Sequence, residues 1–159
     1  LAARMRRDGV DAPAWYALLE GDEDPYRALY RLAYGAELED RDVWKRDLCS
    51  SLLYGSVAAL RKSAIGRAIA EHHPAAYAWL ERKKDEQGAS EFACETMRLE
   101  ASIVIDTLAP RLGEAGIVVA TIHDCILVRR RDAARAEQMF AAVLREAGVC
   151  AVLKREDVG

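Results

Sequence analysis

"GIVVATIHDCILVRRR", residues 116–131, is the stretch on which the fold turns. Two short runs, 117–122 and 125–130, the second apolar as far as Val128, meet at His123 and Asp124. Both are rich in β-branched residues and too short for independent helices, so they read as strands of a tight hairpin with the His-Asp pair at its tip. Strands this apolar predict burial along their length and exposure at the tip. An aspartate in such a place hydrogen-bonds its own backbone easily and is, taken alone, a turn residue. The adjacent histidine adds a second polar group, and with it the competing reading of a reactive or metal-binding tip.

The flanks extend the pattern. A long helix from Ser90 to about Leu108 runs into Pro110, and a helix from about Asp132 to Ala147 follows the hairpin. In the second of these, Ala136, Met139, Phe140, Val143, Leu144 and Ala147 keep the i, i+3, i+4, i+7 spacing of one helical face. Gly148 ends it, and "VCAVLK", residues 149–154, predicts a last strand. Helix, hairpin, helix and strand make a small α+β layer. Upstream, the chain is helical in pattern and rich in Ala, Leu, Arg and Glu. Asp24 before Pro25 predicts a helix start, and Gly35 a stop. Further helices are expected from about Asp40 to Leu53, from about Ser56 to Ala70, and after Pro74, the last with Tyr77 and Leu80 facing inward. The change of regime near Gly88 divides the chain into a helical region, 1–88, and a mixed region, 89–159, in an α+β class overall.

Composition sets the bounds. The chain has 159 residues, 52% of them apolar and 31% charged, the balance of an ordinary globular protein. No apolar run reaches the length of a membrane span, and no basic segment followed by an apolar core opens the chain, which points to a cytoplasmic protein with no membrane partner. Cys49, Cys94, Cys125 and Cys150 form no C-x-x-C pair and read as buried or half-buried thiols. The net charge of −3 argues against holding DNA by bulk charge. Basic residues cluster instead at Arg4, Arg6 and Arg7; Arg41, Lys45 and Arg46; Arg61 and Lys62; Arg82, Lys83 and Lys84; and Arg129 to Arg131. These read as solvated faces that permit phosphate contact without requiring it. A helical metal phosphohydrolase using His72, His73, His123 and Asp124 is excluded, because its His-Asp pair belongs on a helix. His72 and His73 before Pro74 are more simply a helix C-terminus, which suits histidine.

Three segments carry a resemblance. "IHDCILV" on a hairpin, followed by a helix and "LKREDVG", resembles the last catalytic motif of the palm in family A DNA polymerases and single-subunit RNA polymerases. "RDVWKRDLCSSLLYGS", residues 41–56, resembles their finger-helix motif, and "EGDEDPYRALYRLAYG", residues 20–35, is similar to the segment that precedes that helix in the DNA polymerases. The matches lie in family order and span nearly the whole chain. The resemblance implies a template-directed nucleotidyltransferase of phage type, a DNA-dependent DNA polymerase transferring a dNTP to a primer 3′-OH in a bacterial or phage-infected cell. Arg41 and Lys45, spaced i, i+4, are then expected to meet the triphosphate, with Tyr54 beside base and sugar. Asp124 is expected to share two Mg2+ ions (Mn2+ in their place) with a second carboxylate, and His123 to hold the primer end. Implied partners are a DNA primer-template, nucleoside triphosphates, and a preceding polymerase segment or subunit carrying the other catalytic Asp. The alternatives are a single-subunit RNA polymerase and, from another class, a non-catalytic nucleic-acid or protein interaction domain that retains the fold.

The sequence departs from the family in three ways. The family's first acidic motif would fall before Leu1, so the chain is expected to correspond to fingers and remaining palm and to be inert alone. Cys125 stands where the DNA polymerases usually carry Glu, and a small residue there is similar to the RNA polymerases. Lys45 and Tyr54 are nine steps apart, one more than in the family, which on a regular helix puts them on opposite faces. Either a π-bulge absorbs the extra residue, or Arg46, eight steps from Tyr54, takes the phosphate role.

Overall fold

The computed structural model of the chain describes residues 1–122, 125–149 and 153–157. The chain is mostly helical, with a two-stranded antiparallel sheet, an α+β composition. It divides into two compact units, Leu1–Glu95 and Thr96–Gly159. Among the described residues no helix is long and apolar enough to cross a membrane.

The first unit holds α1 (Ala2–Arg7), α2 (Pro13–Glu20), α3 (Pro25–Tyr34), α4 (Arg41–Cys49), α5 (Val57–Lys62), α6 (Ala64–His72), α7 (Pro74–Gln87) and the start of α8 (Ala89–Ala101). Local chemistry sets several of the boundaries. The Asp24 carboxylate accepts from the Tyr26 amide ahead of Pro25, and Gly35 ends α3 in the left-handed conformation at φ 66°. The core is built around Met5, Trp15, Leu29, Trp44, Leu48, Leu60, Ile69, Trp79, Leu80 and Phe92. One expected helix, about Ser56 to Ala70, is two. At Ser63 the backbone is extended, and its hydroxyl donates to the Leu60 carbonyl while accepting from the Gly66 amide at 3.0 Å, which starts α6. The crossing is so tight that a Cβ at Gly66 would lie 1.8 Å from the Leu60 carbonyl oxygen.

In the second unit, α8 passes into a π-helical segment, Ser102–Leu108, and then α9 (Ala109–Glu114). The helix therefore does not stop at Pro110. The widened turns before it relax the hydrogen-bond pattern in which proline's missing N–H would be felt. Strands β1 (Val119–Ile122) and β2 (Cys125–Val128) pair with Val119 opposite Val128 and Ile122 opposite Cys125. A short 3-10 turn, Arg130–Asp132, leads into α10 (Ala133–Glu146). Ile126, Val128 and Val119 pack toward Leu108, Leu112, Ile117, Ala136 and Val143. The strands are not buried as expected, because the sheet has one covered face: Val118, Ile122 and Leu127 are exposed large apolar residues. Of the predicted last strand, residues 150–152 lie outside the described residues, and Val149, Leu153 and Lys154 are not in a strand.

Candidate functional site

Helix α4 begins at Asp40, whose carboxylate accepts from the amides of Asp42 and Val43, both at 3.0 Å. Its apolar face turns Trp44 and Leu48 into the core. The Trp44 indole donates to the Tyr26 carbonyl at 3.0 Å, and its ring meets Tyr30 and Tyr34 edge-on at 5.2 and 5.5 Å. This seating fixes the direction of the cations on either side. Arg41 lies over the Tyr26 ring at 4.5 Å and Lys45 over the same ring at 5.9 Å. The i, i+4 pair is thus gathered about one aromatic ring. Arg41 also donates through Nε to the Asp24 carboxylate at 2.9 Å. Partial burial pushes the Asp24 carboxyl up, but the Tyr26 amide and the Arg41 guanidinium outweigh it and hold the group below its ordinary value. Burial raises the Tyr26 phenol, with Lys45 opposing. Arg46 is exposed and makes no ion pair among the described residues.

The helix does not end at Cys49. It continues as a π-helical turn, Ser50–Tyr54, so α4 and this turn carry Arg41, Lys45, Arg46 and Tyr54 on one continuous rod. A π-turn absorbs about one residue, which returns Lys45 and Tyr54 to the relation of eight regular steps, roughly 80° apart. By the same arithmetic Arg46 comes within roughly 20° of the tyrosine's direction. This helix arithmetic sets both cations within a quarter turn of Tyr54; Lys45 lies against Tyr26, and Arg46 is exposed. Tyr54 itself is 55% exposed. The glycine after it is a steric requirement, since a Cβ at Gly55 would meet the Ser50 and Ser51 carbonyl oxygens at 2.7 and 2.9 Å.

Sequence reasoning missed what secures this rod. Lys84, expected on a solvated cluster, is only 2% exposed, and its ammonium donates to the carbonyls of Leu53 at 3.0 Å and Gly55 at 2.7 Å. Burial lowers its pKa to about 8. Arg4, also read as solvated, is buried, donating to the Phe92 carbonyl and to Glu95. Lys83 pairs with Asp8 at 2.9 Å. The one available signal was that Arg4 and Lys84 are long cations at positions where a helix turns its apolar side inward.

His123 and Asp124 lie outside the described residues, so the expected catalytic pair and metal ligand carry no geometry here. Among the described residues no group of three or more His, Cys, Asp or Glu is arranged to hold a metal ion. Cys125, next to the tip, is exposed, against the expectation of burial, while Cys49 and Cys94 are half-buried. His72 ends α6, and His73, between α6 and α7, sets its ring against Trp15 at 5.3 Å. A shallow cavity of about 500 Å³ opens by Leu18, Asp22, Arg31 and His72, and its lining includes none of Arg41, Lys45, Arg46 and Tyr54; its arginine is already paired with Glu23 and Glu37. Compared with protein-family models, with curated proteins and with solved structures, the chain matches none.

Proposed function

We propose that the chain is the nucleotide-handling part of a template-directed nucleotidyltransferase of the family A DNA polymerase kind. The observation that supports this reading most is the π-turn at Ser50–Tyr54. It lies between the basic residues and the tyrosine of the finger-helix motif, where the sequence is one residue too long, and it gives Lys45 and Tyr54 an eight-step relation. Arg41 and Lys45, gathered over Tyr26, offer two cations at a spacing that suits a polyphosphate, and Tyr54 offers an exposed aromatic surface beside them. In this reading His123 and Asp124 belong to the reaction centre, with a second carboxylate from a preceding segment or partner. Magnesium, when bound, supplies the activation of the primer oxygen.

The test is equilibrium binding of a fluorescent deoxynucleoside triphosphate to the chain and to Lys45→Met and Arg46→Met. Loss of one charge-assisted contact is worth about 1.5–3 kcal/mol, roughly ten- to a hundredfold in Kd. Lys45→Met is expected to show that loss and Arg46→Met to bind nearly as the parent. Normal binding by both overturns the assignment of this helix.

A further inference from the structure

The carbonyls that Lys84 holds belong to Leu53 and Gly55, the two residues on either side of Tyr54. Lys84 comes from α7, 31 residues beyond Leu53 and 29 beyond Gly55, so the contact joins two separate elements. The last carbonyls of a helix have no partner within it and form the negative end of its dipole, and an ammonium placed there satisfies both. Lys84 is nevertheless an unusual choice. It is 2% exposed, and its other close neighbour is not a carboxylate but the face of Phe92, 4.8 Å from Nζ. A buried ammonium held only by carbonyls and a ring costs desolvation that an apolar side chain of similar length would avoid. What the cation provides in return is directional. It fixes both flanking carbonyls from one atom, while the π-turn fixes the chain before the tyrosine and the close packing of Gly55 against the Ser50 and Ser51 carbonyls fixes it after.

We propose that Lys84 is the positioning residue for Tyr54: its ammonium, by clamping the carbonyls of Leu53 and Gly55, sets the direction in which Tyr54 presents its ring. This rests on the reading of Tyr54 as a nucleotide-facing residue, but the positional claim is measured separately from it. Lys84 does not itself touch the nucleotide in this account. It acts through the backbone on either side of the tyrosine.

The experiment places 4-fluorophenylalanine at position 54 and follows its fluorine NMR signal in the parent, Lys84→Met, Lys84→Gln and Lys84→Arg, with circular dichroism as the check of folding. In parallel, each variant with native Tyr54 is titrated with a fluorescent deoxynucleoside triphosphate. The expected result is a shifted or split fluorine resonance in Lys84→Met and Lys84→Gln, return toward the parent signal in Lys84→Arg, and roughly tenfold weaker nucleotide binding in the first two. If Lys84→Met fails to fold, Lys84→Gln, which keeps an uncharged donor amide, carries the test. A parent-like resonance in the folded neutral variants overturns the proposal, whatever the nucleotide does. A displaced resonance in a chain that binds no nucleotide leaves the positioning role standing and overturns the polymerase reading instead.

Discussion

Arg41 donates to Asp24 across the junction of α4 with the start of α3, at 2.9 Å, with the two side chains 50% and 31% exposed. The residue expected to meet a triphosphate is therefore already held by a carboxylate. Exposed pairs of this kind are worth about 0–1 kcal/mol, weak enough for a polyanion to displace. Asp24→Asn keeps the cap on the Tyr26 amide, because an amide oxygen accepts as a carboxylate does. It removes the competing charge, and is expected to tighten triphosphate binding about two- to fivefold. Weaker or unchanged binding in a titration with the fluorescent nucleotide would place the Arg41–Asp24 pair in the scaffold and not in the site.

The π-turn makes its own prediction. If it accommodates an inserted residue, removing Ser51 should convert Ser50–Tyr54 to regular helix while preserving the direction of the tyrosine relative to Lys45. The shortened chain should fold, with a stability within about 1.5 kcal/mol of the parent by urea unfolding, the range typical of tolerated local repacking. Collapse of the cooperative transition would mean that the wide turn is required by the packing of Leu52 and Leu53 and is not a local accommodation.

Two glycines separate steric need from backbone freedom. At Gly55 the backbone is ordinary, φ −71°, yet a methyl group would press on two carbonyl oxygens that cannot swing aside. Gly55→Ala should cost about 1–3 kcal/mol, the usual range for overpacking. Gly113, within α9, has nothing near its missing methyl group, so Gly113→Ala should gain about 0.5 kcal/mol through helix propensity. Thermal unfolding of the two variants should move in opposite directions.

Local signals were legible and distant ones were not. The Asp24-Pro25 start, the Gly35 stop, the two strands and α10 all follow from chemistry within a few residues, and each lies close to its expected place. The break at Ser63 was missed because the apolar spacing carries on through it; only the close approach of Leu60 and Gly66 breaks the rod. The continuation past Pro110 was missed because proline was read without the wide turn preceding it. In the candidate site, the motif spacing presented both a π-bulge and a shift to Arg46 as ways to absorb the extra residue, and the backbone contains the wide turn. Asp24 as a partner for Arg41, and Lys84 as a clamp, were invisible because those contacts span 17 to 31 residues and leave no periodicity.

Lys84 also ties stability to pH. Its pKa is lowered to about 8 by burial, whereas in the unfolded chain it returns to about 10.4. Between these values the unfolded state binds the proton more tightly, so the lysine's contribution to stability rises with pH; below about 8 it is flat and unfavourable. Relative to Lys84→Met, the parent should gain about 2 kcal/mol between pH 7 and 9.5, read as a difference in urea midpoints. Taking the difference cancels the ionisation of the tyrosines, which they share. A difference that stays constant over that range would show that the Leu53 and Gly55 carbonyls and the Phe92 ring offset the desolvation of the ammonium.

The β1–β2 hairpin has a consequence for handling the chain at high concentration. Among the described residues β1 and β2 are each other's only strand partners. On the uncovered face of this two-stranded sheet stand Ile122 and Leu127, at 52% and 40% exposure, with Val118 just before β1 at 61%. Exposed apolar side chains on a small sheet invite association of separate molecules, a liability that a lysine on the sheet commonly blunts. Leu127→Lys, which leaves the inward-facing Ile126 and Val128 untouched, should raise the concentration at which the purified chain begins to scatter light. The same surface that makes the hairpin easy to recognise in the sequence sets the limit of its colloidal stability.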